Sequence, residues 1–421
     1  MKVSVIGLGY IGLPTSAILA SNKLYVTGVD INNDVIQTIN KGKIHIVEPG
    51  LESLVRAAVK SSHLKASNCA TKSDVFILAV PTPFIDDKKP NLSYLKSAVE
   101  IIAPVLEQGN IVIVESTVPV GTTERIAGWI QIERPDLLLP KYGQNDENFD
   151  IYIAHCPERV LPGNVLRELV ENNRTVGGIT SFCTKKTVEF YSLFVNGNIL
   201  ETDCRAAELS KLVENSFRDV NIAFANEISI ICKKLCIDVW DVIRLANQHP
   251  RVNILSPGPG VGGHCIAVDP WFIVDSAPEE SKLIHTARLV NDSKPKYVIQ
   301  KVSEVAQSMD IDKSSLIIGC LGLSFKADID DLRESPALEI VSELSVMGFN
   351  KLLIVEPNIQ KLPNKIKSEY VELVNLESGL SNSHIILILV DHNSFKKIDI
   401  TSLRGKMIID TRGMLNKLDN C

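Results

Sequence analysis

A single cysteine stands at the end of the most glycine-rich segment of the chain, PGPGVGGHCIAVDP, residues 257–270. Cysteine is a nucleophile when its thiolate can form and a substrate can reach it. The glycines before Cys265 carry no side chain that blocks approach, and their N–H groups can face an anion or a developing oxyanion. Asp269 follows and could orient a water molecule or a partner of the thiol. His264 is a rival base or ligand, and nine cysteines are present, so these residues alone leave a structural role for Cys265 open.

A second set of polar residues lies between about 205 and 236, a segment without glycine or proline and with apolar residues at helical spacing. This pattern predicts one helix, roughly 48 Å long, of the kind that connects domains or forms an interface. Lys211, Asn215 and Arg218 share one face of it. A lysine beside an amide could hold a water molecule and stabilise an alkoxide, but a solvated helix face explains the same stripe.

The segment Gly7-Leu8-Gly9-Tyr10-Ile11-Gly12 lies between a strand, VSVI, and an apolar helix, LPTSAILA. In a dinucleotide site the first glycine permits the turn, the second admits the pyrophosphate, and the third lets helix and strand pack closely. A second strand ends in Asp30, 18 residues after Gly12. An acid there can bind both ribose hydroxyls of NAD and repels the phosphate of NADP. We therefore expect NAD, the alternative being a turn that serves packing alone.

Two further strand ends carry hydroxyl groups. The stretches VPTP and EST place Pro81, Thr82 and Thr117 where open α/β sheets bind their ligands. Each threonine could instead cap a turn or a helix.

The elements that position these residues alternate between short β-branched runs and helices. The strand candidates are VSVI, YVTGVD, VFILAV, NIVIVEST and IYIAHC before the long helix, and SLIIGCLGL, KLLIVEP, HIILILV and KMIID after residue 312. Such alternation predicts parallel sheets with right-handed crossovers. We expect an α/β protein with two Rossmann-like doubly wound domains joined by a long central helix. The expected divisions are residues 1–200, 201–305 and 306–421.

Composition narrows the function classes. The chain has 421 residues, 45% of them hydrophobic and 22% charged, with a net charge of −6 and no basic block, which argues against nucleic acid as a partner. No apolar run is long enough to span a membrane, and the N-terminus does not read as a signal peptide. We therefore expect a cytoplasmic location. An odd number of scattered cysteines without zinc-binding spacing predicts free thiols and no metal site.

Taken together, the motifs resemble the UDP-glucose/GDP-mannose dehydrogenase family over essentially the whole chain. The matching stretches are VIGLGYIGLP, VDIN, EPGL, VPTP, ESTVPVGTTE, CPERVLPG, AELSKLVENSFRDVNIAFANE, GPGVGGHCIAVDP and FKADIDDLRESPALEI. NQHPRVNIL and GGHCIAVDPWFIV are similar to the branch that acts on UDP-N-acetyl-D-mannosamine. Ala267-Val268 replaces the Pro-Lys that is usual in the glucose-oxidising branch, which makes UDP-glucose a less expected substrate.

This resemblance implies a four-electron oxidation of a nucleotide-sugar C6 hydroxyl to a carboxylate with two NAD, for surface polysaccharide synthesis. Cys265 would hold the aldehyde as a thiohemiacetal and then as a thioester, which water hydrolyses. The implied catalytic residues are Cys265, Lys211, Asn215, Asp269, Glu158 and Thr117. The implied cofactor-binding residues are Gly7, Gly9, Tyr10, Ile11, Gly12, Asp30, Pro81, Thr82, Thr117 and Arg333. The implied substrate-binding residues are Glu158, Arg159, Lys211, Asn215, Arg251, Gly258, Gly262 and Lys326.

The resemblance also implies a division of labour between the domains. The C-terminal domain would bind UDP, since its LGLSFK lacks a full GxGxxG, while Ser335-Pro336 would begin a helix as N-cap and first helical residue. We expect a homodimer with an interface on residues 205–240.

Three alternatives stay open at this point. The same reaction could act on UDP-N-acetylglucosamine or UDP-N-acetylgalactosamine. A two-electron β-hydroxyacid dehydrogenase would need neither the cysteine nor a second α/β domain. A non-catalytic binding regulator would need neither Cys265 nor Lys211.

Overall fold

The computed structural model describes residues 1–85, 88–161, 163–263, 265–366 and 368–415. These residues form two compact units, divided between Val213 and Glu214 within one long helix, and each unit is considered by itself. The described helices include none that is both long enough and apolar enough to cross a lipid bilayer.

The first unit is built on a sheet of mostly parallel strands. Its strands are β1 (Lys2–Ile6), β2 (Tyr25–Val29), β3 (Leu64–Ser67), β4 (Val75–Leu78), β5 (Ile111–Val114), β6 (Tyr152–His155), β7 (Arg174–Gly178) and β8 (Ile199–Asp203). They lie in the order β3-β2-β1-β4-β5-β6-β7-β8, and β6 pairs antiparallel with β7. The strand order reverses between β1 and β4, and ligands bind at such a switch point.

Helices cover the faces of this sheet. They are α1 (Gly12–Ser21), α2 (Asn33–Asn40), α3 (Leu51–Lys60), α4 (Ser93–Ile102), α5 (Thr122–Glu133), α6 (Val165–Glu171) and α7 (Ser181–Tyr191). Strands β1, β4 and β5 are almost entirely apolar and buried, as expected for parallel strands covered on both faces. The sequence predicted these strands together with β2 and β6. It did not predict β3, β7 or β8, whose segments LKAS, RTVGG and ILETD mix polar residues or glycine with few apolar ones.

The long helix predicted from residue 205 onward is confirmed as α8 (Cys204–Lys234), 31 residues in length. At about 1.5 Å per residue it is roughly 46 Å long. Lys233 and Lys234 lie in its last turn, where positive charge complements the helix dipole.

The second unit contains a smaller, wholly parallel sheet. Its strands are β9 (Ile317–Leu321), β10 (Lys351–Val355), β11 (Val371–Leu373), β12 (Ile385–Ile388) and β13 (Met407–Asp410), in the order β11-β10-β9-β12-β13. After α8 its helices are α9 (Val239–Ala246), α10 (Asp269–Ser276), α11 (Lys282–Ser308), α12 (Pro336–Leu344) and α13 (Leu376–Ser381). The sequence predicted every one of these strands except the short β11. Both sheets have the doubly wound order, so the predicted fold class is confirmed.

Helix α12 begins as the sequence indicated. The hydroxyl of Ser335 accepts a hydrogen bond from the backbone N–H of Leu338 at 3.3 Å, and Pro336 is the first helical residue. A proline at this position has no N–H to leave unsatisfied.

Candidate active site

The glycine-rich turn after β1 has the shape that a dinucleotide site requires. Gly7 has a φ of 92°, and a Cβ there would lie 2.6 Å from the carbonyl oxygen of Ala79. A Cβ on Gly12 would lie 1.8 Å from the carbonyl oxygen of Gly7, so the third glycine is required where α1 packs on β1. A Cβ on Gly9 would meet no described atom within 4 Å. Gly9 therefore faces free space, as the approach of a pyrophosphate to the backbone demands.

Asp30 lies directly against this turn. Its Oδ2 accepts a hydrogen bond from the backbone N–H of Leu8 at 3.0 Å, and its Oδ1 accepts one from Asn32 at 2.9 Å. The carboxylate at the end of β2 is thus held beside the turn, where an acid binds the ribose of NAD. Tyr10 and Ile31 are exposed beside it.

The ends of β4 and β5 are joined to each other. Thr82 Oγ1 donates to the backbone oxygen of Thr117 at 2.6 Å, and Ser116 Oγ donates to the backbone oxygen of Val80 at 2.7 Å. Pro81 is exposed, and both threonines are half-buried. The Thr82 hydroxyl donates its hydrogen to this bond, so its oxygen can act toward a ligand only as a hydrogen-bond acceptor.

Glu158 follows β6 and is buried. Its Oε1 accepts a hydrogen bond from the backbone N–H of Arg159 at 2.6 Å. The Arg159 guanidinium donates to Thr175 Oγ1 at 2.8 Å and to Ser210 Oγ at 3.3 Å. Lys211 follows Ser210 on α8 and is half-buried. Burial lowers the pKa of neighbouring His155 to about 3, and the charges of Arg159 and Lys211 act in the same direction.

The second unit brings three other predicted residues together. Asn215 Nδ2 donates to Asp269 Oδ2 at 2.5 Å, and both side chains are buried. Asp269 begins α10, and its backbone N–H donates to the carbonyl of Cys265 at 2.8 Å. Cys265 therefore lies one turn before Asp269, whose carboxylate is bonded to the Asn215 amide. Cys265 is partly exposed. His264 lies outside the described residues.

Comparison with known proteins gives this arrangement its context. The chain matches three domains of the UDP-glucose/GDP-mannose dehydrogenase family: the NAD binding domain over residues 1–195, the central domain over 205–293, and the UDP binding domain over 319–417. The chain belongs to this family. It is an NAD-dependent UDP-sugar dehydrogenase.

Individual relatives cover nearly the full chain. A UDP-N-acetyl-D-mannosamine dehydrogenase of Campylobacter jejuni is 56% identical over 94% of this chain and 97% of its own. An NDP-N-acetyl-D-galactosaminuronic acid dehydrogenase of Ralstonia nicotianae is 55% identical over 98% of this chain and 96% of its own. The solved structure of a UDP-D-ManNAc dehydrogenase from Pyrococcus horikoshii is 37% identical, covers 99% of this chain and 96% of its own, and superimposes with a TM-score of 0.88.

For this dehydrogenase the glycine-rich turn, Asp30 and the joined ends of β4 and β5 fit NAD. NAD, when bound, accepts the hydride that leaves the sugar carbon. Gly9 would give its pyrophosphate access to the backbone, and Asp30 would bind its ribose.

The glycines before Cys265 have a structural reason that the sequence did not reveal. A Cβ on Gly262 would lie 2.5 Å from the carbonyl oxygen of Glu334, and one on Gly263 would lie 2.8 Å from the Phe325 ring. Gly263 also has a φ of 83° and donates to the carbonyl of Arg333 at 3.1 Å. We expected these glycines to leave the segment accessible, whereas the structure requires them for close packing against residues 325–336.

The remaining predicted site residues are Lys326, Arg251 and Gly258 on the substrate side and Arg333 on the cofactor side. Lys326 and Arg251 are exposed, and the Arg333 guanidinium donates to the carboxylate of Asp331 at 2.6–3.1 Å. Gly258 donates its backbone N–H to Asn226 Oδ1 at 2.8 Å. Arg218, on the predicted polar stripe of α8, is exposed.

Sequence reasoning missed Arg412, which follows β13. A Cβ on Gly258 would lie 2.6 Å from Arg412 Nη1, so this guanidinium faces the glycine-rich segment directly. Asp391 holds it through Arg412 Nε at 3.0 Å and Nη2 at 2.8 Å. No local pattern marks Arg412, because only the fold brings the end of β13 to residue 258.

Glu48, in the EPGL stretch, was also missed as an individual residue. Its buried carboxylate accepts hydrogen bonds from the backbone N–H groups of Gly163 and Val165, each at 2.8 Å. It thereby anchors the segment that follows Glu158 and Arg159 in the chain. EPGL and CPERVLPG, which the sequence presented as separate motifs, meet in the structure.

Proposed function

We propose that this enzyme oxidises the C6 hydroxyl of UDP-N-acetyl-D-mannosamine to the carboxylate of UDP-N-acetyl-D-mannosaminuronate, a four-electron oxidation that supplies surface polysaccharide synthesis. The observation that carries the proposal is the position of the partly exposed Cys265 one turn before Asp269, whose carboxylate accepts from Asn215. A two-electron alcohol dehydrogenase has no need of a cysteine one turn before a buried carboxylate that is bonded to an amide.

In the proposed mechanism Cys265 Sγ adds to the C6 aldehyde and forms a thiohemiacetal, which becomes a thioester after the second oxidation. Lys211 and Asn215 stabilise the oxyanions at C6, because an ammonium and an amide N–H are suited to developing negative charge. Asp269 holds Asn215 and exchanges a proton with the thiol or with water. Glu158 and Thr117 position the water that hydrolyses the thioester, and Glu158 takes its proton.

We assign the nucleotide-sugar to the second group of residues. Positive charge for the diphosphate comes from Arg251, Lys326 and Arg412. The backbone around Gly258 and Gly262 lines the nucleotide-sugar, while the N–H of Gly258 itself stays bonded to Asn226 Oδ1. The sugar contacts Arg159, Glu158, Lys211 and Asn215. Arg333 reaches toward NAD, which Gly7, Gly9, Tyr10, Ile11, Gly12, Asp30, Pro81, Thr82 and Thr117 bind.

The proposal includes the division of the chain into an NAD-binding domain over residues 1–200, a central domain over 201–305 and a UDP-binding domain over 306–421. We place the enzyme in the cytoplasm, because a reducing compartment keeps cysteines as thiols. The described cysteines that are free thiols include Cys69, Cys156, Cys183, Cys204, Cys232, Cys236 and Cys320.

The relatives do not single out one configuration of the sugar at C2 and C4. Relatives of nearly equal identity are named for N-acetyl-D-mannosamine and for N-acetyl-D-galactosaminuronic acid. UDP-N-acetylgalactosamine is therefore the second candidate, and UDP-N-acetylglucosamine the third. Initial rates on the three epimers decide among them, and a higher kcat/KM on either alternative would reject the mannosamine assignment.

The decisive experiment measures NADH formed per mole of limiting UDP-N-acetyl-D-mannosamine with NAD in excess. A ratio near two is expected for oxidation of an alcohol to an acid. A ratio near one would end the reaction at the carbonyl and contradict the role of Cys265.

We also propose that the enzyme is a homodimer with its interface on residues 205–240. Phe217, Phe224 and Ile231 follow one another at seven-residue spacing on α8, which places them along one face. They are 68%, 51% and 44% exposed, respectively. Large apolar side chains aligned on an exposed helix face favour association with a second surface, and a second copy of α8 offers the same stripe.

A further inference from the structure

A buried cluster of charged residues lies behind Glu158 in the first unit. Arg174, the first residue of β7, is 5% exposed and stands between two carboxylates. Its Nη1 lies 3.7 Å from Glu115 Oε1, and its Nη2 lies 3.5 Å from Glu158 Oε2. One guanidinium thus forms ion pairs with two buried carboxylates, one at the end of β5 and one after β6.

Other contacts fix the guanidinium between these acids. Arg174 Nη2 donates to the backbone oxygen of Leu169 at 3.2 Å, and its Nη1 lies 3.8 Å from Cys156 Sγ. The guanidinium also stacks over the ring of Tyr191, 4.9 Å from its centroid. Tyr191 in turn donates its hydroxyl to Glu115 Oε1 at 2.7 Å. Arg174 therefore cannot move fully to either carboxylate without breaking other contacts.

Glu158 has one buried oxygen, Oε2, that accepts no hydrogen bond from the described residues. Its side chain is 10% exposed, and among the described residues nothing donates a hydrogen bond to Oε2. Buried carboxylate oxygens are normally satisfied, so an unsatisfied one marks a place for water or a ligand. A general base needs such an oxygen.

The charges of the cluster do not cancel when both acids are ionised, because two carboxylates face one guanidinium. Burial raises the pKa of Glu115 to about 7, so its charge changes within the working range of an enzyme. The groups that face Glu115 are Arg174 from β7, Tyr191 from α7, and Cys156 and Glu158 from the segment after β6. When the charge of Glu115 changes, the electrostatic stabilisation that Arg174 gives to the ionised Glu158 changes as well.

We propose that Arg174 is a positioning residue for Glu158, and that Glu115, acting through Arg174, sets how strongly Glu158 takes a proton from water. The inference rests on the proposed role of Glu158 in thioester hydrolysis. In that step a water oxygen bonds to the acyl carbon, the C–S bond breaks, and its electron pair leaves on Sγ of Cys265. Glu158 accepts the proton of the water, so the step needs no further reactant.

The first variant that tests the inference is Glu115→Gln, which keeps the shape and removes the charge. Arg174 then pairs with Glu158 alone. The ionised form of Glu158 is better stabilised, so Glu158 is a weaker base. Because Glu115 is charged in the wild type only above about pH 7, wild-type acyl-enzyme decay should speed up as the pH rises through 7, and Glu115→Gln should lack this rise and keep the lower rate. Decay is followed by intact-mass spectrometry after acid quench.

The second variant, Arg174→Gln, should move the acid limb of the decay profile to higher pH, because Glu158 loses its positive neighbour. This variant leaves two buried carboxylates facing each other and could fail to fold. The double variant Glu115→Gln with Arg174→Gln removes one charge of each sign, so the net charge of the cluster is unchanged. Above pH 7, where Glu115 is charged, its decay rate should lie between those of the two single variants.

Two further variants separate this inference from the function on which it rests. Glu158→Gln should trap the acyl-enzyme, and decay at the wild-type rate in that variant removes Glu158 as the base and the inference with it. The exposed Glu107→Gln should leave the profile unchanged. If Glu158→Gln traps the adduct while Glu115→Gln and the double variant keep the wild-type profile, the coupling alone is overturned. Faster decay in Glu115→Gln than in the wild type above pH 7 overturns it equally.

Discussion

Asn215 and Asp269 form a buried hydrogen bond of 2.5 Å in which the amide donates to the carboxylate. Because the amide Nδ2 faces Asp269, the orientation of the Asn215 side chain is fixed. The backbone N–H of Asp269 is bonded to the carbonyl of Cys265, so the same contact links the amide to the thiol-bearing turn. In the proposed mechanism, this contact sets the orientation of the amide before an oxyanion forms on the carbon bound to Cys265.

Asn215→Asp tests this relationship. The substitution places two carboxylates in contact in a buried site, which raises the cost of ionising both and removes the donor. We expect kcat to fall about 100-fold or more, in the range that loss of one oxyanion donor produces. Asn221→Asp on the same helix is the control, because Asn221 Nδ2 bonds only the local carbonyl of Phe217 among the described residues. Wild-type turnover in Asn215→Asp, with the control equally active, would contradict the assignment.

Cys265→Ser tests the covalent step. A serine hydroxyl is a much weaker nucleophile than a thiolate, so the acyl-enzyme should not form and net turnover should fall at least about 1,000-fold. Intact-mass spectrometry of quenched wild-type enzyme should show a covalent sugar-nucleotide adduct that the variant lacks. Cys236→Ser and Cys69→Ser change exposed thiols and should retain both activity and adduct. An adduct that survives in Cys265→Ser places the chemistry elsewhere.

The sequence was most informative where chemistry depends on neighbours along the chain. The turn from Gly7 to Gly12 and the acid at Asp30 form one strand-turn-helix-strand unit, so spacing alone predicted their position. Asp269 lies one turn after Cys265, and Asn215 lies one turn after Lys211 on a helix that was equally legible from its periodicity. These pairs needed no knowledge of the tertiary fold.

The sequence was uninformative where residues meet only through the sheets. Arg174 reaches Glu115 and Glu158 because β7 inserts antiparallel beside β6, and RTVGG carries no strand signal strong enough to predict that pairing. Arg412 meets Gly258 only because β13 ends there. The reason for the glycines before Cys265 was likewise hidden, since the atoms they pack against lie in residues 325–336.

Asp30→Ala tests the basis of cofactor choice. Loss of the carboxylate removes the acceptor for the ribose and the repulsion of the NADP phosphate. We expect the KM for NAD to rise about tenfold and the preference for NAD over NADP to fall by a similar factor. Asp34→Ala, an exposed change in the first turn of α2, is the matched control. A preference for NAD that persists unchanged in Asp30→Ala would require another discriminating residue.

A pair of glycine substitutions separates binding from packing. Gly9→Ala places its Cβ in free space, so the melting temperature should stay within about 1 °C of wild type while the KM for NAD rises at least tenfold. Gly262→Ala places its Cβ 2.5 Å from a backbone oxygen, so it should lower both melting temperature and activity. Gly128→Ala, in helix α5 with no described atom within 4 Å of its Cβ, should change neither adversely. Normal NAD affinity in Gly9→Ala would show that the pyrophosphate lies away from this turn.

The homodimer is tested by placing charge on the apolar stripe of α8. Phe217→Glu with Phe224→Glu introduces four carboxylates into a twofold interface that contains this face, and desolvating them is costly. The mass of one chain is 46.3 kDa. Sedimentation equilibrium should give twice this mass for the wild type and this mass for the variant. Val346→Glu changes a residue that is 84% exposed outside the stripe and should leave the dimer intact. A monomeric wild type removes the proposal, and a dimeric double variant moves the interface away from these residues.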